Sequence, residues 1–297
     1  MSKQTVFTGA GVALVTPMLP DGKVNESKMR ELIDWQIAEG TDAIISCGTT
    51  GESSTLTLEE HLDVIRMAIE QTNHRVPLIA GTGSNDTAFA IETCVEAVAM
   101  GADAVLVVTP YYNKTSQRGL MAHYRAVAES IPHTPIILYN VPSRTGVNIQ
   151  PETVVAMYNE IPNVVGLKQA NGDLSSIAKI ASLCDIDIYS GNDNEIVPTL
   201  SLGGKGVISV LSNVIPKETH EICARWFAGD PAGSCKLQLD WLDLANGLFT
   251  DVNPIPVKEA LNLMGWNVGD CRLPLYPMED AARDKLAAIL RAHGLIG

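Results

Sequence analysis

Short, β-rich apolar runs recur along the first 230 positions, and stretches with helical apolar spacing separate them. The runs are Val12–Thr16, Ala43–Cys47, Pro77–Gly81, Ala104–Thr109, Pro135–Tyr139, Val164–Lys168, Ile186–Ser190 and Gly206–Val210. Between them, Met29, Leu32, Ile33, Gln36 and Ile37 share one helical face and stop at Gly40, and Leu62, Ile65, Met67 and Ile69 behave alike. Helix starts are marked by Thr57-Leu58-Glu59-Glu60, a capping-box pattern, and by Pro151-Glu152 and Pro216-Lys217-Glu218. Eight strand–helix units in succession predict an α/β fold of the closed (β/α)8 TIM-barrel type. An open doubly wound sheet is the rival, and no G-x-G-x-x-G follows the first run to support it. After Gly229-Asp230-Pro231 the strand signals stop. Cys235–Leu248, Pro256–Met264 and Glu279–His293 read as helices, so residues 1–230 are expected to form the barrel and 231–297 a C-terminal helical extension.

Composition changes this picture little. The chain of 297 residues is 46% hydrophobic but only 5% aromatic, so aliphatic side chains and alanine must fill the core. No apolar run is long enough to cross a membrane, and Met1-Ser2-Lys3-Gln4-Thr5 lacks the pattern of a signal peptide. Six scattered cysteines without a C-x-x-C pair suit a reduced, cytoplasmic protein. A formal charge of −13 repels nucleic acid and anionic lipid, so an anionic substrate would have to be held by a few placed cations.

In such barrels chemistry is found at the C-terminal ends of the strands, and the unusual residues of this chain fall there. Val164–Leu167 is a continuous apolar run of the kind that is buried on both faces of a parallel sheet, and Lys168 ends it. A poorly hydrated cavity there favours the free, nucleophilic amine, whereas a lysine that snorkels to solvent would be chemically idle. Lys114, Lys205 and Lys258 lack that combination of strand end and dry surroundings. Gly48-Thr49-Thr50-Gly51-Glu52-Ser53 offers backbone N–H groups and two hydroxyls to a carboxylate or phosphate, or is simply a capped turn. Tyr139, one strand before Lys168, could shuttle a proton or merely pack its ring. Arg144 could grip a carboxylate or lie at the surface. Cys47 could be a thiol nucleophile, although a small buried hydrophobe fits better. The six histidines show no zinc spacing, and neither a G-x-S-x-G elbow nor a P-loop is present.

Taken together, Gly48-Thr49-Thr50-Gly51-Glu52, Tyr139–Gly146, Gly166-Leu167-Lys168 and Asn253-Pro254-Ile255-Pro256-Val257-Lys258 resemble the dihydrodipicolinate synthase family. That family belongs to the pyruvate-dependent Schiff-base aldolases that include N-acetylneuraminate lyase, and the resemblance covers nearly the whole chain. It implies that Lys168 forms an imine with pyruvate, which then condenses with L-aspartate 4-semialdehyde; the alternative is cleavage of a sugar acid or another 2-keto acid. It further implies a proton relay of Thr50, Tyr139 and Tyr112, the last reaching in from a neighbouring subunit of a homotetramer built from dimers. Thr49 and Thr50 would bind the pyruvate carboxylate, Arg144 that of the semialdehyde, and Gly191 and Ile208 would line the site through their backbone. No metal or organic cofactor is implied. Gln169 replaces a common acidic residue, and strand alternation should turn it away from Lys168. Ser53, His61, Asn85 and Tyr111 match the lysine-feedback pocket of inhibited members, but Phe89 and Leu58 replace its glutamate and a histidine. Feedback by lysine should therefore be weak or absent.

Overall fold

The computed structural model describes residues 3–297. Its first half runs β1 (Gly9–Ala13), α1 (Glu26–Ala38), β2 (Ala43–Ser46), α2 (Leu58–Thr72), β3 (Leu78–Gly81), α3 (Thr87–Met100) and β4 (Ala104–Val108). Next come α4 (Gln117–Ser130), β5 (Ile136–Asn140), the single turn α5 (Pro142–Thr145), α6 (Pro151–Glu160), β6 (Val164–Gln169) and α7 (Leu174–Ala181). The barrel ends with β7 (Asp187–Ser190), α8 (Ile196–Ser201), β8 (Gly206–Ser209) and α9 (Pro216–Phe227). Four helices follow: α10 (Pro231–Asp240), α11 (Leu242–Gly247), α12 (Ile255–Leu263) and α13 (Asp280–Ala292). All eight strands are parallel and close in sequence order, β8 pairing back onto β1. This is the TIM barrel that the alternation predicts.

Local signals read from the sequence recur as hydrogen bonds. Thr57 caps α2 by accepting from the Glu60 N–H while the Glu60 carboxylate accepts from the Thr57 N–H. Pro151, Pro216 and Pro231 each stand in the first turn of a helix, where a missing N–H costs nothing. Two expectations need correction. The first strand covers Gly9–Ala13, not Val12–Thr16. Gly-Ala-Gly carries no apolar bulk to announce a strand, but the barrel needs that thinness: a Cβ on Gly9, itself at φ +117°, would lie 2.1 Å from Asp42 Oδ2, and one on Gly11 2.9 Å from the Phe7 ring. The expected helix 235–248 is two helices beginning at Pro231 and stepping at Trp241, whose indole stacks on His293 with centroids 4.3 Å apart.

Burial follows the two-fold alternation of each strand. Ile45, Ile79, Leu106, Ile137, Tyr189 and Ile208 fill the barrel interior, while Val105, Val107, Leu138, Leu167 and Ile188 face the helices. At the N-terminal end Phe7 stacks on Tyr189, centroids 4.4 Å apart and planes at 11°, and the Tyr189 hydroxyl donates to Phe7 O at 2.7 Å. The barrel is thus shut below. The C-terminal helices share a core with it, Leu244, Val257, Leu286 and Leu290 belonging to the apolar cluster that holds Val12, Leu14 and Ile44. Among the described residues no helix is long and apolar enough to cross a membrane.

Candidate active site

Two adjacent strands set the centre of the site. Register pairs Tyr139 of β5 with Lys168 of β6, and alternation sends both side chains into the barrel. Gly166 lies one pleat below Lys168. A Cβ there would come within 3.3 Å of both Ile137 and Tyr189, so the layer beneath the lysine is filled and its stem is forced upward, toward the strand C-termini. Lys168 is 6% exposed and Tyr139 7%, and the Lys168 Nζ sits 4.4 Å from the centre of the Tyr139 ring. The amine therefore rests on a π face and not in bulk water. Gln169 points the other way, as expected: its amide nitrogen donates to Ser176 and its oxygen accepts from Asn140.

The β2 loop forms the opposite wall. Its backbone is less free than the sequence suggests, because the N–H groups of Gly51 and Glu52 turn back onto Gly48 O and Thr49 O at 3.1 Å. Among the described residues, the amides of Thr49 and Thr50 make no such bond, and with their hydroxyls they are the donors left to a ligand. Glu52 is held in the left-handed region, φ 55° and ψ 33°, a conformation that costs a non-glycine residue about 1–3 kcal/mol unless its surroundings impose it. Here they do. Its buried carboxylate takes the Lys258 ammonium at 2.8 Å on one oxygen and the Arg272 N–H at 2.8 Å on the other. Lys258 also donates to Thr16 O and Asp270 O. Arg272 in turn grips Glu60 with both terminal nitrogens, at 2.7 and 2.5 Å. The Arg272 guanidinium holds the Glu60 carboxyl down at about 2.

Lys258 stands on α12 and not at a strand end, so it lacks the expected combination, although not for want of burial. Lys258 lies in dry surroundings as deep as those of Lys168, at 2% exposure, but a buried carboxylate fixes it as an ammonium partner. Sequence reasoning missed the pairing because its members are separated by 206 positions. Cys47 is no nucleophile: burial pushes its thiol up to about 12.

Arg144 leaves β5 on the short helix α5 and donates from Nη2 to Asn253 O at 3.0 Å. The Asn253 side chain reaches the other wall, Nδ2 donating to Thr50 Oγ1 at 3.0 Å. Gly191 follows β7 and donates its N–H to Gln169 O at 2.7 Å; a Cβ there would meet Ala170 at 2.5 Å. Two residues on, buried Asp193 accepts from the amides of Val210 and Leu211, tying the β7 and β8 loops together. Burial raises its pKa, against the opposing pull of Ser209, those two amides and the Lys168 charge. Ile208 is fully buried in β8. One residue stands apart: Tyr112, on the loop after β4 with φ +67°, is 91% exposed. Of the expected feedback residues, His61 is turned inward, its Nε2 2.8 Å from Gly81 O and its pKa lowered by burial, while Phe89 is exposed.

A family model described as dihydrodipicolinate synthetase matches residues 6–293. A curated 4-hydroxy-tetrahydrodipicolinate synthase from Lachnoclostridium phytofermentans is 56% identical over 98% of this chain and 99% of its own. The solved structure of a chloride-inhibited dihydrodipicolinate synthase from Acinetobacter baumannii, complexed with pyruvate, superposes with a TM-score of 0.95 at 45% identity, covering 98% of this chain and 100% of that one. A second solved structure, the enzyme of Cyanidioschyzon merolae with lysine bound, gives a TM-score of 0.96 at 40% identity, over 99% of this chain and 100% of that one.

Proposed function

Because the chain belongs to the dihydrodipicolinate synthetase family, we propose that it condenses pyruvate, held as a Schiff base on Lys168, with L-aspartate 4-semialdehyde. The Lys168 amine attacks the keto carbon of pyruvate, and the resulting carbinolamine loses water to leave an iminium. That cation draws electrons from the neighbouring methyl group, so a proton departs and an enamine forms. The enamine carbon adds to the aldehyde, whose oxygen takes up a proton. The semialdehyde's own amine then attacks the iminium carbon, expels Lys168 and closes the ring. Tyr139 and Thr50 move protons to and from the oxygens in these steps, Thr49 and Thr50 hold the pyruvate carboxylate, and Arg144 holds that of the semialdehyde. Gly191 and Ile208 border the cavity with their backbone.

The observation that carries this reading is the placement of Lys168, whose nearly unexposed amine lies against the Tyr139 ring at the open end of the barrel. Tyr112 serves a neighbouring copy, in a homotetramer assembled from dimers; its exposure in the single chain supports that role. The protein works in the cytoplasm, consistent with free cysteines at six positions.

Borohydride added with pyruvate should place a stable mass increment on Lys168, and Lys168→Ala should lose both label and turnover. Labelling without a cyclic product from aspartate semialdehyde would assign the lysine correctly and the second substrate wrongly.

A further inference from the structure

Tyr139 and Lys168 are the next-to-last residues of their strands, where a ladder is least protected against fraying. Their register is also set late. Ile136 pairs with Val164 but Ile137 with Gly166, so Val165 has no opposite number on β5. Only four residue pairs stand above that irregularity, and Tyr139 opposite Lys168 is the third. A slip of one residue would turn the amine out to the helix face.

The fourth pair, Asn140 and Gln169, points away from the cavity and is buried, at 0% and 2% exposure. The Ile149 N–H, which can only donate, meets Asn140 Oδ1 at 3.0 Å and so fixes which end of that amide is which. The Asn140 amino group is then committed to Asn148 Oδ1 at 2.8 Å and to Gln169 Oε1 at 2.7 Å. Gln169 in turn donates to Ser176 Oγ at 3.1 Å, and the Ser176 hydroxyl donates to Asp173 O at 2.8 Å. Each amide in this run has a single orientation. A directed chain of side-chain bonds thus joins the exits of β5 and β6 just where the backbone ladder gives out, its last bond running from Ala170 N–H to Asn140 O at 2.9 Å.

We propose that Asn140 and Gln169 are positioning residues that pin the register of this strand pair, holding the Lys168 amine 4.4 Å from the centre of the Tyr139 ring for imine formation. The inference rests on the reading of Lys168 as the Schiff-base lysine. Neither side chain touches a reacting atom. Each acts through the residue before it in its own strand.

Gln169→Met keeps the volume and removes the hydrogen bonds. Borohydride labelling with excess pyruvate should still run to completion, but imine formation should slow about 100-fold, the effect of moving a reacting group by about 1 Å. Turnover per labelled site should fall with it. Gln169→Glu should restore both, because a carboxyl oxygen accepts from Asn140 whether or not the group is protonated. A lower thermal midpoint with the parental rate of imine formation would show a structural role only and overturn the proposal. A loss that Gln169→Glu shares in full would overturn it as well, by showing that the bond from Asn140 is not what matters. Asn140→Ala added to Gln169→Met should cost nothing further, and additive losses refute the pairing. If Gln169→Met does not fold, Ser176→Ala decides by releasing Gln169 at its far end: slower imine formation supports the proposal, and the parental rate overturns it. A parent enzyme that takes no label would remove the reading of Lys168 and the inference with it, whereas a labelled parent beside an unslowed variant removes the inference alone.

Discussion

The two walls of the site are built by different physics. Lys168 and Tyr139 stand on neighbouring strands, and sheet register alone makes them face each other. Thr49 and Thr50 stand on a loop and Arg144 on the single turn α5, and contacts from the C-terminal segment hold this wall: Asn253 on Thr50 and Arg144, Lys258 and Arg272 on Glu52. One wall is local in the sheet; the other is tied to residues more than 100 positions away. Damage should therefore look different on each. The strand wall should fail chemically while the fold persists, and the loop wall should lose stability and ligand affinity together.

The largest contrast is between the two buried lysines. Lys168→Ala should abolish turnover and leave the thermal midpoint nearly in place, since among the described residues no carboxylate lies in ion-pair contact with Lys168 and its charge is the last of several opposing pulls on buried Asp193. Lys258→Met should strand the Glu52 charge and cost roughly 3–5 kcal/mol of stability, the usual penalty for removing one member of a buried pair. It should also weaken pyruvate binding, while borohydride still labels Lys168. Equal thermal midpoints for the two variants would erase the distinction between the walls.

A smaller effect is expected one shell further out. Glu60 titrates at about 2 in the folded protein against an ordinary 4.5, because Arg272 binds its charged form. A depressed carboxyl contributes stability above its unfolded pKa and loses it as pH falls through the folded value. Arg272→Ala should thus cost roughly 1–2 kcal/mol at neutral pH, in the range of a partly buried charged hydrogen bond. That deficit should shrink as the pH drops from about 4.5 toward 2. Denaturation at a series of pH values measures it, and a constant deficit would detach Glu60 from the network.

The smallest expected effect is none. Lysine at about 1 mM, a concentration that would load a site of ordinary metabolite affinity, should leave the rate unchanged. Phe89 and Leu58 bring no carboxylate or imidazole to an incoming ammonium, and His61 is committed to Gly81 O. Half-inhibition below that concentration would show that Ser53, Asn85 and Tyr111 suffice.

This division also explains what could be read from the sequence. Alternation and strand count were visible in the apolar pattern, and with them the neighbourhood of Tyr139 and Lys168. The first strand was displaced because Gly9-Ala10-Gly11 has no hydrophobic signal; its glycines answer to the close approach of the Asp42 carboxylate and the Phe7 ring. Lys258 reads in the sequence only as a lysine of the helical extension, since nothing near it announces Glu52. Asn253 stood in a recognisable motif without a visible partner. Pairings of that range are fixed by tertiary packing, which leaves no period in the chain.

The Phe7–Tyr189 stack has a kinetic corollary. With the floor sealed, pyruvate, the water expelled by imine formation and the finished ring all pass through a single doorway. Traffic through one doorway imposes an order: the keto acid occupies the deep berth first, and the semialdehyde enters only above it.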